Sequence, residues 1–293
     1  MTLQAATISD FERAQRRLRA MAETDPQIAR AVPLEAVTRS VRTVGIAYRE
    51  IIANTLAGYA ERPALGTRTF ELRPDSDGHH VRHYLPSFTT ITFRELARRI
   101  EAIASVWQHH PRHRVGPGDF VAFIAFASAE MVAVDLACAY AQAIAVPLQA
   151  NLTASDMNRI FADTHPVALV ATIENLELAA GYAQRHHSVH SLVVIDAEVG
   201  DEAERKRIGD VRRQLRDDGD RIALASFAEI IELGARGAWT PPPRRIEGQN
   251  ALMMLMYTSG STGTPKGAMI HETMCNQLWS GISSYQPSIQ VVC

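Results

Sequence analysis

The run LMYTSGSTGTPKGAM occupies positions 255–269 of a 293-residue chain. From Thr258 to Gly267 every residue except Pro265 is glycine, serine, threonine or lysine, directly behind an apolar stretch. Gly260 and Gly263 let the backbone approach a ligand closely or adopt φ > 0, which bulkier residues resist. Thr258, Ser259, Ser261, Thr262 and Thr264 add hydroxyl donors, and Lys266 adds a point charge on a flexible stem. A strand leading into a glycine-rich loop is a common way to aim backbone N–H groups at phosphate oxygens. The expected site is therefore a triphosphate cradle of Thr258, Ser259, Gly260, Ser261, Thr262, Gly263, Thr264, Lys266 and Gly267. Lys266 is the candidate catalytic residue, and Thr258, Ser261 and Thr262 join it as the expected closest contacts. The residue order excludes two other phosphate motifs. The P-loop needs G-x-x-x-x-G-K-[ST], whereas Lys266 stands between Pro265 and Gly267. No G-x-G-x-x-G occurs either. The bland alternatives are a flexible Gly/Ser linker and a tight loop between two strands.

Other chemistry-bearing residues are weaker signals. His-His-x-x-His occurs at His79/His80/His83, His109/His110/His113 and His186/His187/His190. All three fall in turns or at element ends, where nothing brings them together, so they read as surface loops and no protein-ligated metal is expected. Asp135, inside an apolar helical pattern, reads as a structural carboxylate, either hydrogen-bonded or facing a partner subunit. Cys138 reads as a small core residue, since nothing near it in sequence would lower its pKa. Met253, Met254 and Met256 fit a buried strand as well as an acyl pocket.

The elements around the loop alternate. Ser9 and Glu12 form a capping-box pattern ahead of a helical, arginine-rich N-terminus, which Pro26 and Pro33 break into two short helices with a solvated basic face. Residues 68–87 read as a hairpin turning at Asp77-Gly78, and Thr92 with Glu95 opens a helix. Apolar strands are then expected at 119–127, 143–149, 167–172 and 191–196, with helices between them, including 129–142, one capped by Thr153 and Asp156, and 174–184. The charged run 201–220 reads as a solvated helix and loop. Ser226 and Glu229 cap a further helix, and WTPPPRR leads as an extended linker into the strand ALMMLMYT. Continuous apolar strands separated by helices imply an α/β fold, a parallel sheet flanked by helices on both faces.

Composition narrows the partners. The apolar fraction is 46% and the charged fraction 21%, in the ordinary globular range. A formal charge of −2 gives no electrostatic reason to expect nucleic acid or an anionic membrane. No apolar run approaches the roughly 18 residues of a membrane span, and the N-terminus lacks the apolar core of an export signal. The three cysteines, Cys138, Cys275 and Cys293, form no spaced pair, so a cytoplasmic protein is expected.

The loop YTSGSTGTPKGAM resembles the signature of the adenylate-forming superfamily, which includes acyl-CoA synthetases, luciferases and peptide-synthetase adenylation domains. ITFRELARRIEAIA and AYAQAIAVPLQA resemble two earlier elements of that superfamily in the same order, so the likeness spans roughly 48–293. Within it, GYAERPALGTRTFEL, GDFVAFIAFAS and YTSGSTGTPKGAMIHE are similar to the N-terminal adenylation domain of carboxylic acid reductases. One departure from the wider superfamily is Glu272, where many members carry a histidine six residues after the loop lysine; here His271 falls one position earlier. The resemblance implies a helical extension over 1–40 and an incomplete adenylation domain over 41–293. It implies attack of a carboxylate on the α-phosphate of ATP with Mg²⁺, giving acyl-adenylate and pyrophosphate. In the reductases, phosphopantetheine and NADPH then act in downstream carrier and reductase domains. The superfamily's aromatic-Gly-x-Thr-Glu segment, ribose-binding aspartate and C-terminal lysine do not occur here, nor do a carrier serine motif or a nicotinamide fingerprint. The final PSIQVVC reads as a strand entering a core, so the chain is expected to be cut short and not to complete an adenylation alone. The competing readings are a fatty-acyl-CoA ligase of the same superfamily and a truncated remnant without catalysis; a P-loop phosphotransferase is disfavoured by the Pro-Lys-Gly order.

Overall fold

Five-residue apolar segments with no charged break become strands buried on both faces. A computed structural model describes residues 10–74, 76, 80–198, 200–242, 250–259, 265–285 and 290–291. Three helices come first: α1 (Asp10–Thr24), α2 (Pro26–Ala31) and α3 (Glu35–Val41). That is one more than the prolines suggested. Pro26 occupies the first turn of α2, where its missing N–H is no loss. Asp25 caps the same helix by accepting the Gln27 N–H at 2.8 Å. The cap expected from Ser9 lies outside the described residues. The arginines of α1 are solvated, whereas Val37 and Val41 of α3 pack with Ile51 and Tyr59 at α4 (Tyr48–Gly58). The hairpin forms as expected from β1 (Pro63–Pro74) and β2 (His80–Thr92), its Asp77-Gly78 tip lying outside the described residues. Thr92 and Glu95 make the reciprocal cap that opens α5 (Phe93–His109).

The body then alternates: β3 (Phe120–Ile124), α6 (Ala129–Ala141), β4 (Ile144–Leu148), α7 (Ala154–Thr164), β5 (Ala168–Thr172), α8 (Leu176–Arg185), β6 (Ser191–Ile195), α9 (Glu202–Asp217), β7 (Ala223–Ser226) and α10 (Phe227–Ala235). It ends with β8 (Leu252–Ser259), β9 (Pro265–His271), α11 (Glu272–Tyr285) and the short β10 (Gln290–Val291). The main sheet has the order β7-β6-β5-β3-β4-β8-β9. Its pairs are parallel except β8 with β9. β10 pairs in parallel with Leu65 and Gly66 of β1 in the smaller sheet.

Side-chain alternation divides the core as a two-faced sheet requires. Val121 and Phe123 join Trp107, Ala137 and Phe227 on one face. Ala122 and Ile124 join Met157, Phe161, Leu176 and Leu215 on the other. The charged run does form a helix, α9, but Ile208, Val211 and Leu215 turn one side of it into the core. Gly234 shows how closely two helices meet: a Cβ there would lie 2.0 Å from the Ala102 carbonyl oxygen of α5. β7, β9 and α11 have little sequence signal. β7 is four residues, ALAS, with no branched side chain, and β9 begins with Pro-Lys-Gly, which reads as turn.

Candidate functional site

The loop closes a two-stranded ribbon. β8 and β9 run antiparallel with Met256 opposite Ala268, Tyr257 opposite Gly267, Thr258 opposite Lys266 and Ser259 opposite Pro265. Directly opposed residues share a face, their Cβ atoms about 5 Å apart. Thr258 and Lys266 are therefore neighbours on one face, and both are exposed. Gly260, Ser261, Thr262, Gly263 and Thr264, expected to cradle phosphate, lie outside the described residues, as does the side chain of Ser259. The connection runs from strand to strand. That topology is shared with one of the bland alternatives, and the strand-to-loop entry on the N-terminal side is as expected.

Period-2 alternation assigns the ribbon's two faces. Leu255 and Tyr257 pack against the core beneath α7, so Thr258 and Lys266 project from the opposite side. The Tyr257 hydroxyl donates to the Asp163 carboxylate near the end of α7. Burial, and then that carboxylate, push the Tyr257 pKa upward. Gly267, across the ribbon, fits under the ring: a Cβ there would come within 3.3 Å of it. Sequence reasoning missed Tyr257 and Asp163. The available signal was period-2 alternation just before Thr258, which places Tyr257 inward and its hydroxyl in need of a partner.

The carboxyl ends of the parallel strands form one edge, and β8 delivers the loop to it. β3 connects onward to β4, whereas β5 connects the other way to β6, which makes the β3/β5 crevice a topological switch point, where ligands of open α/β sheets bind. β8 stands two strand spacings from β3, roughly 10 Å. Phe126, just after β3, is 70% exposed at this edge. Glu130, at the start of α6, accepts the Asp196 N–H at 2.7 Å. Arg82 from β2 donates to the Asp196 carbonyl and to Glu204, both at 3.3 Å. Burial raises Glu130 to about 7 and Asp196 to about 6. These groups come from four separate segments with no common spacing, so the sequence carried no signal for them.

Several side chains differ from their expected settings. His113 is 4% exposed, and its Nδ1 pairs with the Ser191 hydroxyl at 2.8 Å. Burial holds its pKa down to about 4. The His110 and His113 rings lie 5.1 Å apart, and His190 is near enough to act on the same group electrostatically. His110, His113 and His190 therefore do converge, which corrects the reading of the second and third patterns as wholly separate surface loops, while His186 packs elsewhere against Phe161. The reason is that the end of α5 and the loop before β6 meet at the amino end of the sheet. The pattern at His79 has one member outside the described residues. Among the described residues no three metal-ligating side chains form a group. Asp135 is half-buried, its pKa raised by burial to about 6. Cys138 is a buried core thiol with a strongly raised pKa, as expected. Met253 is buried, Met254 half-buried and Met256 exposed. Glu272 ties two helices together: its carboxylate accepts the Tyr48 N–H of α4 at 2.8 Å.

Comparison with known proteins agrees with this layout. The profile of the family described as "AMP-binding enzyme" matches residues 70–291. A carboxylic acid reductase of Segniliparus rugosus is 37% identical over 88% of this chain and 22% of its own length. The structure of the A domain of that organism's reductase, in complex with AMP and a co-purified carboxylic acid, superposes with a TM-score of 0.83 at 34% identity, over 92% of this chain and 42% of that one. The A-PCP didomain of the same reductase, in complex with AMP, gives 0.81 at 35% identity, over 88% and 36%. A feruloyl-CoA synthase of Amycolatopsis is more distant, 27% identical over 67% of this chain and 30% of its own. The chain thus spans about a fifth of the length of the reductase it matches.

Proposed function

Because this chain belongs to the AMP-binding enzyme family, we propose that it forms the front of an adenylation domain that activates a carboxylic acid with ATP inside a carboxylic acid reductase. The observation that carries this reading is the exposed Thr258–Lys266 pair at the base of the YTSGSTGTPKG loop, delivered to the carboxyl edge of a parallel sheet. In the reaction a carboxylate oxygen bonds to the α-phosphorus of ATP while the bond to the bridging oxygen breaks, releasing pyrophosphate with its electron pair. The Lys266 ammonium offsets the charge that develops on the departing pyrophosphate, and the Thr258 hydroxyl donates to a phosphate oxygen. The loop's backbone N–H groups and its hydroxyls, Ser261 and Thr262 foremost, complete the cradle in this reading. Lys266 offers no metal ligand, so a Mg²⁺ would be held chiefly by the nucleotide's own phosphates, with the Thr258 hydroxyl as the available protein oxygen, and would share the charge that Lys266 offsets.

The same reading divides the chain into an extension over 1–40 and an incomplete adenylation domain over 41–293. It places phosphopantetheine and NADPH in downstream carrier and reductase domains. The likeness to an A-PCP didomain supports the carrier. A cytoplasmic setting goes with this reading; no described helix is long and apolar enough to cross a membrane. The fatty-acyl-CoA ligase reading is the weaker fit, since the CoA-synthase relative is more distant and covers less of the chain.

The test is ATP–pyrophosphate exchange by the intact protein with aliphatic and aromatic acids, followed by product analysis. Exchange plus NADPH-dependent aldehyde supports the reading, and CoA thioester in place of aldehyde selects the ligase. Absence of exchange with every acid, at full nucleotide saturation, selects the non-catalytic alternative. The 293-residue chain alone is expected to show no exchange.

A further inference from the structure

We infer that the Tyr257–Asp163 hydrogen bond is a tether that sets the phosphate-loop ribbon against α7, which makes Tyr257 a positioning residue for Thr258 and Lys266. The inference rests on the loop reading above and deepens it.

Past Met254, no described residue of the ribbon pairs with another strand of the main sheet. β8 makes one ladder pair with its parallel neighbour, Ala145 with Met254, and β9 ends the sheet order. A two-stranded ribbon is marginal by itself in water. From Leu255 onward its direction depends on side-chain contacts to the body. Leu255 supplies one by packing, and Tyr257 supplies two. Its half-buried ring packs against the core cluster that holds Met157, Ile160 and Phe161 of α7, each 1% exposed. Its hydroxyl is fixed on Asp163 of the same helix, a charge-assisted bond with directional preference.

The position of Tyr257 gives the tether leverage. It directly precedes Thr258 and lies opposite Gly267, which directly follows Lys266. Any swing of the Tyr257 ring therefore moves both phosphate-facing residues. Alternation keeps the tether on the opposite face from Thr258 and Lys266, so it takes no space from a nucleotide. Gly267 belongs to the same device: a Cβ there would lie 3.3 and 3.4 Å from two ring atoms of Tyr257. A side chain at 267 would lift the ring from the ribbon and draw the hydroxyl from Asp163. On this account Gly267 serves the ring on the rear face, a role separate from a backbone approach to phosphate.

The experiment measures Mg–pyrophosphate affinity by calorimetry, and amide hydrogen exchange over 265–271, in the 293-residue chain carrying Tyr257→Phe, Asp163→Ala, Asp163→Asn or Gly267→Ala, with Lys266→Ala as control. Tyr257→Phe and Asp163→Ala are expected to weaken binding roughly five- to tenfold, the size of one directional hydrogen bond. Both should speed exchange over 265–271 while the midpoint of thermal unfolding stays within a degree or two. Asp163→Asn keeps an acceptor and should recover most of the affinity. The Tyr257→Phe/Asp163→Ala double variant should be no weaker than either single change. In the intact enzyme the same variants should lower kcat for pyrophosphate exchange more than they raise KM for the acid, which a merely structural role would not do. Unchanged affinity and exchange in Tyr257→Phe, with Lys266→Ala still impaired, overturn the tether and leave the loop reading standing. A wild-type chain that does not bind pyrophosphate, or a Lys266→Ala variant that binds normally, overturns the loop reading and this inference with it.

Discussion

Lys266 is exposed and stands beside Thr258, and no described residue pairs with its ammonium, so it can meet a phosphate without leaving a buried setting. Lys266→Ala should therefore leave thermal unfolding unchanged while lowering pyrophosphate exchange by about 100-fold in the intact enzyme, the typical effect of removing one group that stabilises transition-state charge. Lys266→Arg keeps the charge but replaces a compact ammonium with a planar fork, and should retain an intermediate rate. A stopped-flow or isotope-exchange assay on purified variants checks both outcomes. A Thr258→Val/Lys266→Ala double variant no slower than the slower single change would mean that the two act as one unit, as their cross-strand pairing suggests.

At the level of elements, two glycines in helices have opposite surroundings. Gly234 lets α10 lie against α5, and an added methyl there would meet the Ala102 backbone at 2.0 Å. A backbone contact cannot rotate away, so Gly234→Ala should cost about 3 kcal/mol, at the severe end for overpacking. Gly209, midway along α9, would place its methyl in open space. Gly209→Ala should stabilise by about 1 kcal/mol through helix propensity alone. Equilibrium urea unfolding of the two variants should displace the midpoint in opposite directions. A matching shift in both would mean that α5–α10 packing does not set the fold's stability.

For the whole molecule, buried titratable groups pull its stability in two directions as pH changes. His113 has a folded pKa of about 4 against an ordinary 6.5, so the unfolded chain binds more protons between those values. Its contribution is complete above pH 6.5 and is lost as pH falls toward 4, by roughly 3 kcal/mol in all. Glu130 behaves oppositely, with a folded pKa of about 7 against 4.5. The fold binds the extra proton, so its contribution is present below 4.5 and is lost as pH rises through 7, again by roughly 3 kcal/mol at most. Asp135 and Asp196, both raised by burial to about 6, add to the loss on the alkaline side. Over about pH 4.5 to 6 three carboxyls oppose the one imidazole, so stability should fall from about pH 4.5 to about pH 7. Glu130→Gln should raise stability at pH 8 and leave it unchanged at pH 4, while His113→Gln should make the fall between pH 4 and 6.5 steeper. Urea unfolding at pH 4, 6 and 8 reads all three. A Glu130→Gln variant whose alkaline limb matches the wild type would show that this carboxyl is ionised in the fold.

Much of the protein was determined by sequence alone, because the determinants are local. Apolar pentads such as FVAFI and ALVAT, the reciprocal caps at Thr92/Glu95 and Ser226/Glu229, and the hairpin at β1–β2 follow from period, capping and turn chemistry that operate within a few residues. The candidate phosphate loop stood out for the same reason, since its residues lie in one contiguous run. Tertiary structure alone decided what depends on contacts between distant segments. It folded the residues after the loop back as β9, so that Lys266 stands beside Thr258. It brought Asp163 under Tyr257, 94 residues away in the chain, and it buried His113 against Ser191, although a histidine at an element end reads as exposed. It gathered Glu130, Asp196 and Arg82 at one sheet edge. Burial sets those pKa values and side-chain partners, and burial depends on which strands become neighbours, a relation that spacing along the chain does not encode.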